Sequence, residues 1–210
     1  ITGRVNRISP EAPVPVNLVE SQREVPGGAA NTAANLAALS CQVYACGMKG
    51  NDADGAVLTS LMEQAGIDMS GMICAEHYHT TAKIRILGAR QQMRLDYEEK
   101  KNPSPEECRF VLEWLENLLA RGLGVIVLSD YGKGMITAGL SEKVIALART
   151  YKVPVLVDPK GSDWTKYDGA FGITPNLKEL SDCVGREIPN DDKAVEEAGK
   201  KVREKYHLTH

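Results

Sequence analysis

Apolar and polar residues alternate along some stretches of this chain and run together in others, and the contrast predicts two kinds of strand. Over residues 12–20, Val14, Val16 and Leu18 alternate with prolines and polar residues, the pattern of a strand with one wet face; its prolines suit a sheet edge. Residues 80–98 read as a hairpin. Ile84 and Ile86 alternate with Lys83 and Arg85, the turn falls at Gly88, and Met93, Leu95 and Tyr97 alternate with Arg94, Asp96 and Glu98. By contrast, VIVL at 125–128 and VPVLV at 153–157 are unbroken apolar runs, which predict strands buried on both faces. A third short strand is expected near 170–174. Residues 1–9 carry Arg4 and Arg7 and predict no buried strand, so the chain is expected to begin after one.

Helical signals separate these strands. A helix over 31–39 follows a double glycine, and a short strand over 43–46 leads to the glycine-punctuated turn GMKGNDADG at 47–55. The next helix carries Val57, Leu58, Leu61 and Met62 on one side and stops at Gly66. Ser104, Pro105 and Glu107 spell a capping box with proline in the first turn, and Phe110, Val111, Trp114, Leu115 and Leu118 form the apolar face behind it. Further helices are expected over 141–150 and 191–206. Helix alternating with buried strand predicts an α/β fold with right-handed crossovers and a mostly parallel sheet covered on both faces. The wet-faced strands then form a small separate sheet, a flap.

Composition narrows the partners more than the fold. Among 210 residues, 43% are hydrophobic and 25% charged, the net charge is −3 and the pI about 5.9, so nothing in the charge recruits nucleic acid or an anionic membrane. No apolar run reaches the roughly 20 residues of a membrane helix, and no signal-like N-terminus is present, so a cytoplasmic location is expected. Cys41, Cys46, Cys74, Cys108 and Cys183 are odd in number and lack a CxxC pair, which favours reduced core thiols. His77 and His79 have no third ligand at a suitable spacing, and no metal ligand is assigned.

Two features could carry chemistry. In PGGAANTAANLAAL at 26–39, Gly27 and Gly28 allow close backbone approach, Asn31 offers both a donor and an acceptor, and the helix directs free N–H groups at the turn. An ordinary loop-to-helix junction reads the same way. The second feature is polar residues directly after buried strands, where ligands bind in open parallel sheets. They are Ser129 to Gly134 with Asp130 and Lys133, then Asp158, Pro159, Lys160 and Gly161, then Thr174, Pro175, Asn176 and Glu179. On one rim, these acids and lysines suit a phosphorylated substrate and a magnesium nucleotide. Taken singly, Asn176-x-x-Glu179 is also a helix-capping pattern, the aspartates could be loop carboxylates or caps, and Lys133 and Lys160 could be solvated charges.

Taken together, Gly27-Gly28-Ala29-Ala30-Asn31, the 47–55 turn, Asp130, Asp158 and Asn176-x-x-Glu179 resemble the ribokinase (PfkB) family of sugar kinases. Within it, RVNRISPEAPVPV at 4–16, QQMRLDYEE at 91–99, LSDYGKG at 128–134, DPKG at 158–161 and TPNLKE at 174–179 are most similar to the kinases of D-glycero-β-D-manno-heptose 7-phosphate. The resemblance covers nearly all 210 residues. It implies a ribokinase-like three-layer α/β/α fold with a β-sheet lid built from strands near 12–20 and 80–99, and a homodimer through the lid. It also implies phosphoryl transfer from ATP with Mg²⁺ to the anomeric hydroxyl of a small-molecule sugar phosphate, a step towards ADP-heptose and the lipopolysaccharide core. Gly27, Gly28, Asn31 and Lys160, with Arg85, Arg94 and Asp96 on the lid, would meet the sugar. Asp130, Lys133, Asp158, Asn176, Leu177, Lys178 and Glu179 would lie on the nucleotide and magnesium side.

One departure matters. The family's G-A-G-D motif, with the aspartate that takes the acceptor's proton, does not occur, nor does the usual first strand with its sugar-binding aspartate. No catalytic base is assigned; it is expected beyond residue 210. Residues 1–210 thus read as an incomplete kinase domain, truncated at both ends and inactive alone. The competing readings are another sugar or nucleoside kinase of the same family and a non-catalytic sugar-binding module.

Overall fold

A computed structural model describes residues 1–210, which divide into two compact units, 1–99 and 100–210. In the first unit, β1 (Thr2–Ile8), β2 (Pro15–Ser21), β5 (Ala82–Leu87) and β6 (Gln91–Tyr97) form a sheet in the order β2-β1-β5-β6. The proline-bearing strand therefore lies at the edge, as its N–H gaps require. The stretch expected to lack a buried strand holds an exposed one: in β1 only Gly3 is buried, so no apolar period marks it. β5 and β6 pair antiparallel, with Lys83 opposite Asp96 and Arg85 opposite Arg94 on one face, and Ile84 opposite Leu95 and Ile86 opposite Met93 on the other.

The same unit contains α1 (Ala29–Ala38), β3 (Tyr44–Gly50), α2 (Ala53–Gln64) and β4 (Asp68–Ala75). β3 and β4 pair in parallel around α2. β3 runs on through Gly47 to Gly50, so the expected glycine turn is shorter and begins at Asn51. β4 escaped the periodicity because glycine, serine and aspartate interrupt its apolar positions. Met62, Ile67, Ile73, Ala75 and Tyr78 form the small core here. No cysteine of the chain is a core thiol: Cys41, Cys46 and Cys74 are exposed, Cys108 and Cys183 half-buried, and all five are free. An apolar neighbour in sequence points to the opposite face of a strand, which is why sequence neighbours misplaced Cys46 and Cys74.

The second unit carries most of the core. Its elements are α3 (Pro105–Ala120), β7 (Ile126–Ser129), α4 (Ala138–Thr150), β8 (Val155–Asp158), a 3₁₀ turn (Thr165–Tyr167), β9 (Gly172–Ile173), α5 (Leu177–Val184) and α6 (Asp192–Lys205). The three strands pair in parallel in the order β7-β8-β9, with Ser129 beside Asp158 and Val157 beside Ile173. Ile126, Leu128, Val155 and Val157 are buried, whereas Val127 is 39% exposed and Val125 44%. The unbroken VIVL run thus hides only one face within this unit, not two.

α3 starts as its sequence dictates. The Ser104 hydroxyl accepts the Glu107 N–H at 3.1 Å, the Glu107 carboxylate accepts the Ser104 N–H at 2.6 Å, and proline opens the first turn. Val111, Leu115, Leu118 and Leu119 are its buried residues; Phe110 is 42% exposed, displaced from the expected stripe by Leu119. Ser104→Ala removes one half of the box and should lower the stability of this unit by about 1 kcal/mol, read as a reduced urea midpoint at unchanged slope.

Candidate functional site

Because β7, β8 and β9 run parallel, the residues that follow them share one end of the sheet. Asp130 follows β7, and its N–H reaches the Asp158 carbonyl oxygen at 3.0 Å, so the two strand ends are tied together. Asp130 is 4% exposed and both its carboxylate oxygens are engaged. One oxygen takes the Gly132 N–H at 2.6 Å; the other takes the Lys166 ammonium at 2.5 Å and the Tyr167 hydroxyl at 2.7 Å. A carboxylate removed from water needs such partners, and here three of its roughly four acceptor positions are filled from within the protein. Asp130, expected on the nucleotide side, is thus placed as an internal anchor of that end of the sheet. Lys133 is half-buried in the same loop, and its carbonyl accepts the Lys101 N–H at 3.1 Å.

Asp158, Lys160 and Glu179 come together. Lys160 lies 3.5 Å from Glu179 Oε1, and the carboxylates of Glu179 and Asp130 act on Asp158. Burial lifts the Asp158 carboxyl above its ordinary value; the charges of Glu179 and Asp130 lift it further, and Lys160 offsets only part of this. The site thus favours added positive charge at Asp158. The strand-end reading expects Lys160 and Glu179 on one rim, and the family resemblance assigns them to the sugar and nucleotide sides; the structure pairs the two side chains directly.

α5 holds the remaining members. The Asn176 side chain accepts the Glu179 N–H at 2.9 Å and Glu179 Oε2 accepts the Asn176 N–H at 3.0 Å, a closed capping box. Glu179 therefore uses one oxygen on the cap and the other on Lys160. Leu177 is half-buried at the first helical position, and exposed Lys178 pairs with Asp182 at 2.9 Å. Lys166 and Tyr167 were missed: they lie in a single 3₁₀ turn, and their link to Asp130 spans 36 and 37 residues with no local pattern to betray it.

In the first unit, Gly28 sits before α1 with φ +53°, a conformation natural to glycine, and no side chain caps the helix. Gly27 and Asn31 are exposed, and open space surrounds the position a Gly27 side chain would take. On the β5–β6 face, Arg94 holds Asp96 through two hydrogen bonds at 2.8 and 3.0 Å, and Lys83 adds a third at 3.4 Å. Desolvation raises the Asp96 carboxyl, but the contacts with Arg94 and Lys83 outweigh it and hold it below the usual range. Arg85, directly opposite Arg94, has no ion-pair partner. Like charges facing each other across a sheet are unfavourable unless an anion joins them.

The 47–55 motif has a structural account. Asp52 caps α2 by accepting the Gly55 N–H at 2.7 Å, and it also takes the Thr80 N–H at 2.8 Å and hydroxyl at 2.7 Å. Buried Thr80 in turn accepts the Gly50 N–H at 2.9 Å. A side chain on Gly50 would strike the Tyr78 carbonyl, and one on Gly55 the Gly50 carbonyl. Two residues after Thr80, β5 begins.

No group of three or more His, Cys, Asp or Glu is close enough to hold a metal by itself. The hard oxygens of Asp158 and Glu179 nevertheless fit Mg²⁺, which keeps waters and shares its sphere with nucleotide phosphates rather than filling a protein cage. No helix is long and apolar enough to cross a membrane.

Residues 2–210 match the pfkB family of carbohydrate kinases. The chain belongs to this family. Among curated relatives, the bifunctional protein HldE of Methylobacillus flagellatus is 44% identical over 202 residues, which cover 96% of this chain and 41% of that protein. The HldE of Haemophilus influenzae strain Rd is 42% identical over 208 residues, covering 99% and 42%. The chain thus spans about two fifths of the length of these relatives. Among solved structures, the tetrameric inhibited form of phosphofructokinase-2 from Escherichia coli superposes with a TM-score of 0.67 at 20% identity, over 99% of this chain and 67% of that one. A ribokinase of Arabidopsis thaliana complexed with ribose and ATP gives 0.67 at 19% identity, over 97% and 64%. These likenesses show the ribokinase-like α/β fold that the sequence predicted.

Proposed function

We propose that this chain serves in a sugar kinase that transfers the γ-phosphoryl group of ATP, with Mg²⁺, to the anomeric hydroxyl of D-glycero-β-D-manno-heptose 7-phosphate, giving the 1,7-bisphosphate on the way to ADP-heptose and the lipopolysaccharide core. The observation that carries the reading is the meeting of Asp158, Lys160 and Glu179 at one end of the β7-β8-β9 sheet, in a chain of the pfkB family. Its resemblance to the HldE proteins supports the narrower choice of sugar.

In this reading Glu179 and Asp158 face Mg²⁺ through its waters, and Lys160 and Lys178 meet donor phosphates. Asn176 and Leu177 hold the start of α5 in place, and Asp130 and Lys133 order the loop before it. When bound, Mg²⁺ supplies charge that neutralises the phosphates during transfer. Gly27, Gly28 and Asn31 hold sugar hydroxyls with exposed N–H and amide groups. The β2-β1-β5-β6 sheet acts as a lid that excludes water from the transfer, and unpartnered Arg85, with Arg94 and Asp96, binds the 7-phosphate end. No residue of this chain is assigned as the base.

Met93, Leu95 and Tyr97 are 54%, 38% and 54% exposed on the other face of that sheet, and a second copy of the protein is the proposed cover. The cytoplasm is the compartment that supplies MgATP to such an enzyme.

The test is acceptor-dependent ADP formation by the complete protein that bears this chain, with heptose 7-phosphate against ribose, fructose 6-phosphate and a nucleoside. Heptose 7-phosphate should give a kcat/KM at least about 100-fold above the others, and Glu179→Gln should lower it by roughly 10- to 100-fold. Preference for another acceptor would move the assignment within the family. Sugar binding without ADP formation would support a non-catalytic module instead.

A further inference from the structure

We infer that Tyr167 is a positioning residue, which fixes the main chain at Lys160 so that the Lys160 ammonium is held ready for donor phosphate; the inference rests on the kinase reading above. Tyr167 is fully buried, and its hydroxyl joins two partners. It donates to Asp130 Oδ2 at 2.7 Å and accepts the Lys160 N–H at 3.2 Å. The direction is forced. An ionised carboxylate only accepts, so the single phenol proton is committed to Asp130 and a lone pair is left for Lys160.

The turn needs that bond. Pro159, before Lys160, has no N–H, so the Lys160 N–H is the first main-chain donor after β8. Next along, the Gly161 carbonyl accepts the Trp164 indole N–H at 2.9 Å, and Trp164 is also fully buried. Two buried aromatic side chains therefore clasp a two-residue stretch whose lysine is itself half exposed.

That lysine reaches Glu179 at 3.5 Å, and with its own side chain 55% exposed to water the pair adds little to stability. The mounting therefore sets where the ammonium sits as well as supporting the fold. Lys166 completes the arrangement. At 2.5 Å from Asp130, and also bonded to the Ile136 carbonyl at 3.4 Å, it meets the buried carboxylate's need for a cation. The charge of Lys160 then remains available to Glu179 and to an incoming phosphate.

The experiment measures MgATP affinity by calorimetry in the complete protein, for the wild type, Tyr167→Phe, Lys160→Gln and the double variant. Tyr167→Phe keeps the buried ring and removes only the hydroxyl. It should weaken MgATP about five- to tenfold, Lys160→Gln about tenfold, and the double variant no more than Lys160→Gln alone, because Tyr167 acts through Lys160. A loss of stability by itself would not give that non-additivity. An unchanged affinity in Tyr167→Phe, or a double variant that loses the product of the two effects, overturns the inference while leaving the kinase reading standing. A wild-type protein that binds no MgATP overturns the kinase reading, and the inference with it. Should Tyr167→Phe fail to fold, hydrogen exchange decides on the wild type: the Lys160 amide should be protected and gain at least about fivefold further protection with MgATP. Exchange there at the free-chain rate sinks the proposal.

Discussion

Asp130→Ala is expected to cost the second unit about 3 kcal/mol, a large share of the stability of a domain this size. The cause lies in what the substitution leaves behind. Lys166, whose side chain is 21% exposed, loses its carboxylate at 2.5 Å, and the Tyr167 hydroxyl, in a fully buried residue, loses the acceptor of its only proton. Removing one member of a buried pair strands the other, and this exceeds the net worth of the pair itself. The Gly132 N–H also loses its acceptor, so the turn after β7 loosens. In a scanning calorimeter the transition of this unit should fall by roughly 12 °C or more. A fall below about 2 °C would show that the carboxylate is not clamped as described. Asp130→Asn keeps the volume and one acceptor oxygen, and should lie between the two.

That prediction differs from the one the sequence alone suggests, and the reason is physical. A polar residue after a buried strand can serve a ligand or hold its own loop, and local sequence looks the same in both cases. What separates them for Asp130 is a lysine and a tyrosine 36 and 37 residues away, reachable only through the β8 turn. Local patterns fared better. The Ser104 and Asn176 boxes each join residues three apart, the distance over which capping acts, and both are present as spelled. Alternation found the β5–β6 hairpin with its turn because one face there is apolar and the other charged. It missed β1, in which nearly every residue is exposed, and β4, where Ser70 and Gly71 break the period. Burial on both faces was read from VIVL because a parallel strand is usually covered twice; within residues 100–210 only one face of β7 is covered. Among the site residues, Lys160 and Glu179 were legible as candidates and as members of one rim, because residues after parallel strands share an end of the sheet; their direct pairing was not, since turn geometry sets it.

Asp52→Ala is expected to destabilise the first unit by about 2–3 kcal/mol, the second large effect. Asp52 accepts from Gly55, from the Thr80 N–H and from the Thr80 hydroxyl, and thereby ties the end of β3, the start of α2 and the approach to β5 into one knot. Alanine removes the helix cap and strands buried Thr80, whose hydroxyl is left with Gly50 alone. The effect has a pH signature. Desolvation raises the Asp52 carboxyl, but the hydrogen bonds from Thr80 and Gly55 and the nearby His79 outweigh it, so its folded value lies below the ordinary one of about 4. A depressed carboxyl contributes stability that is fully present above its unfolded value and is lost as pH falls through the folded value. Urea unfolding of wild type and Asp52→Ala should therefore show a gap that narrows as pH falls below about pH 4. A gap that is unchanged on acidification would mean that the cap acts through shape alone and not through its charge. Because Thr80 stands two residues before β5, the same loosening should speed amide exchange at the start of that strand more than in α2. That outcome would locate the Asp52 knot as the point where the charged sheet is fastened to the rest of its unit.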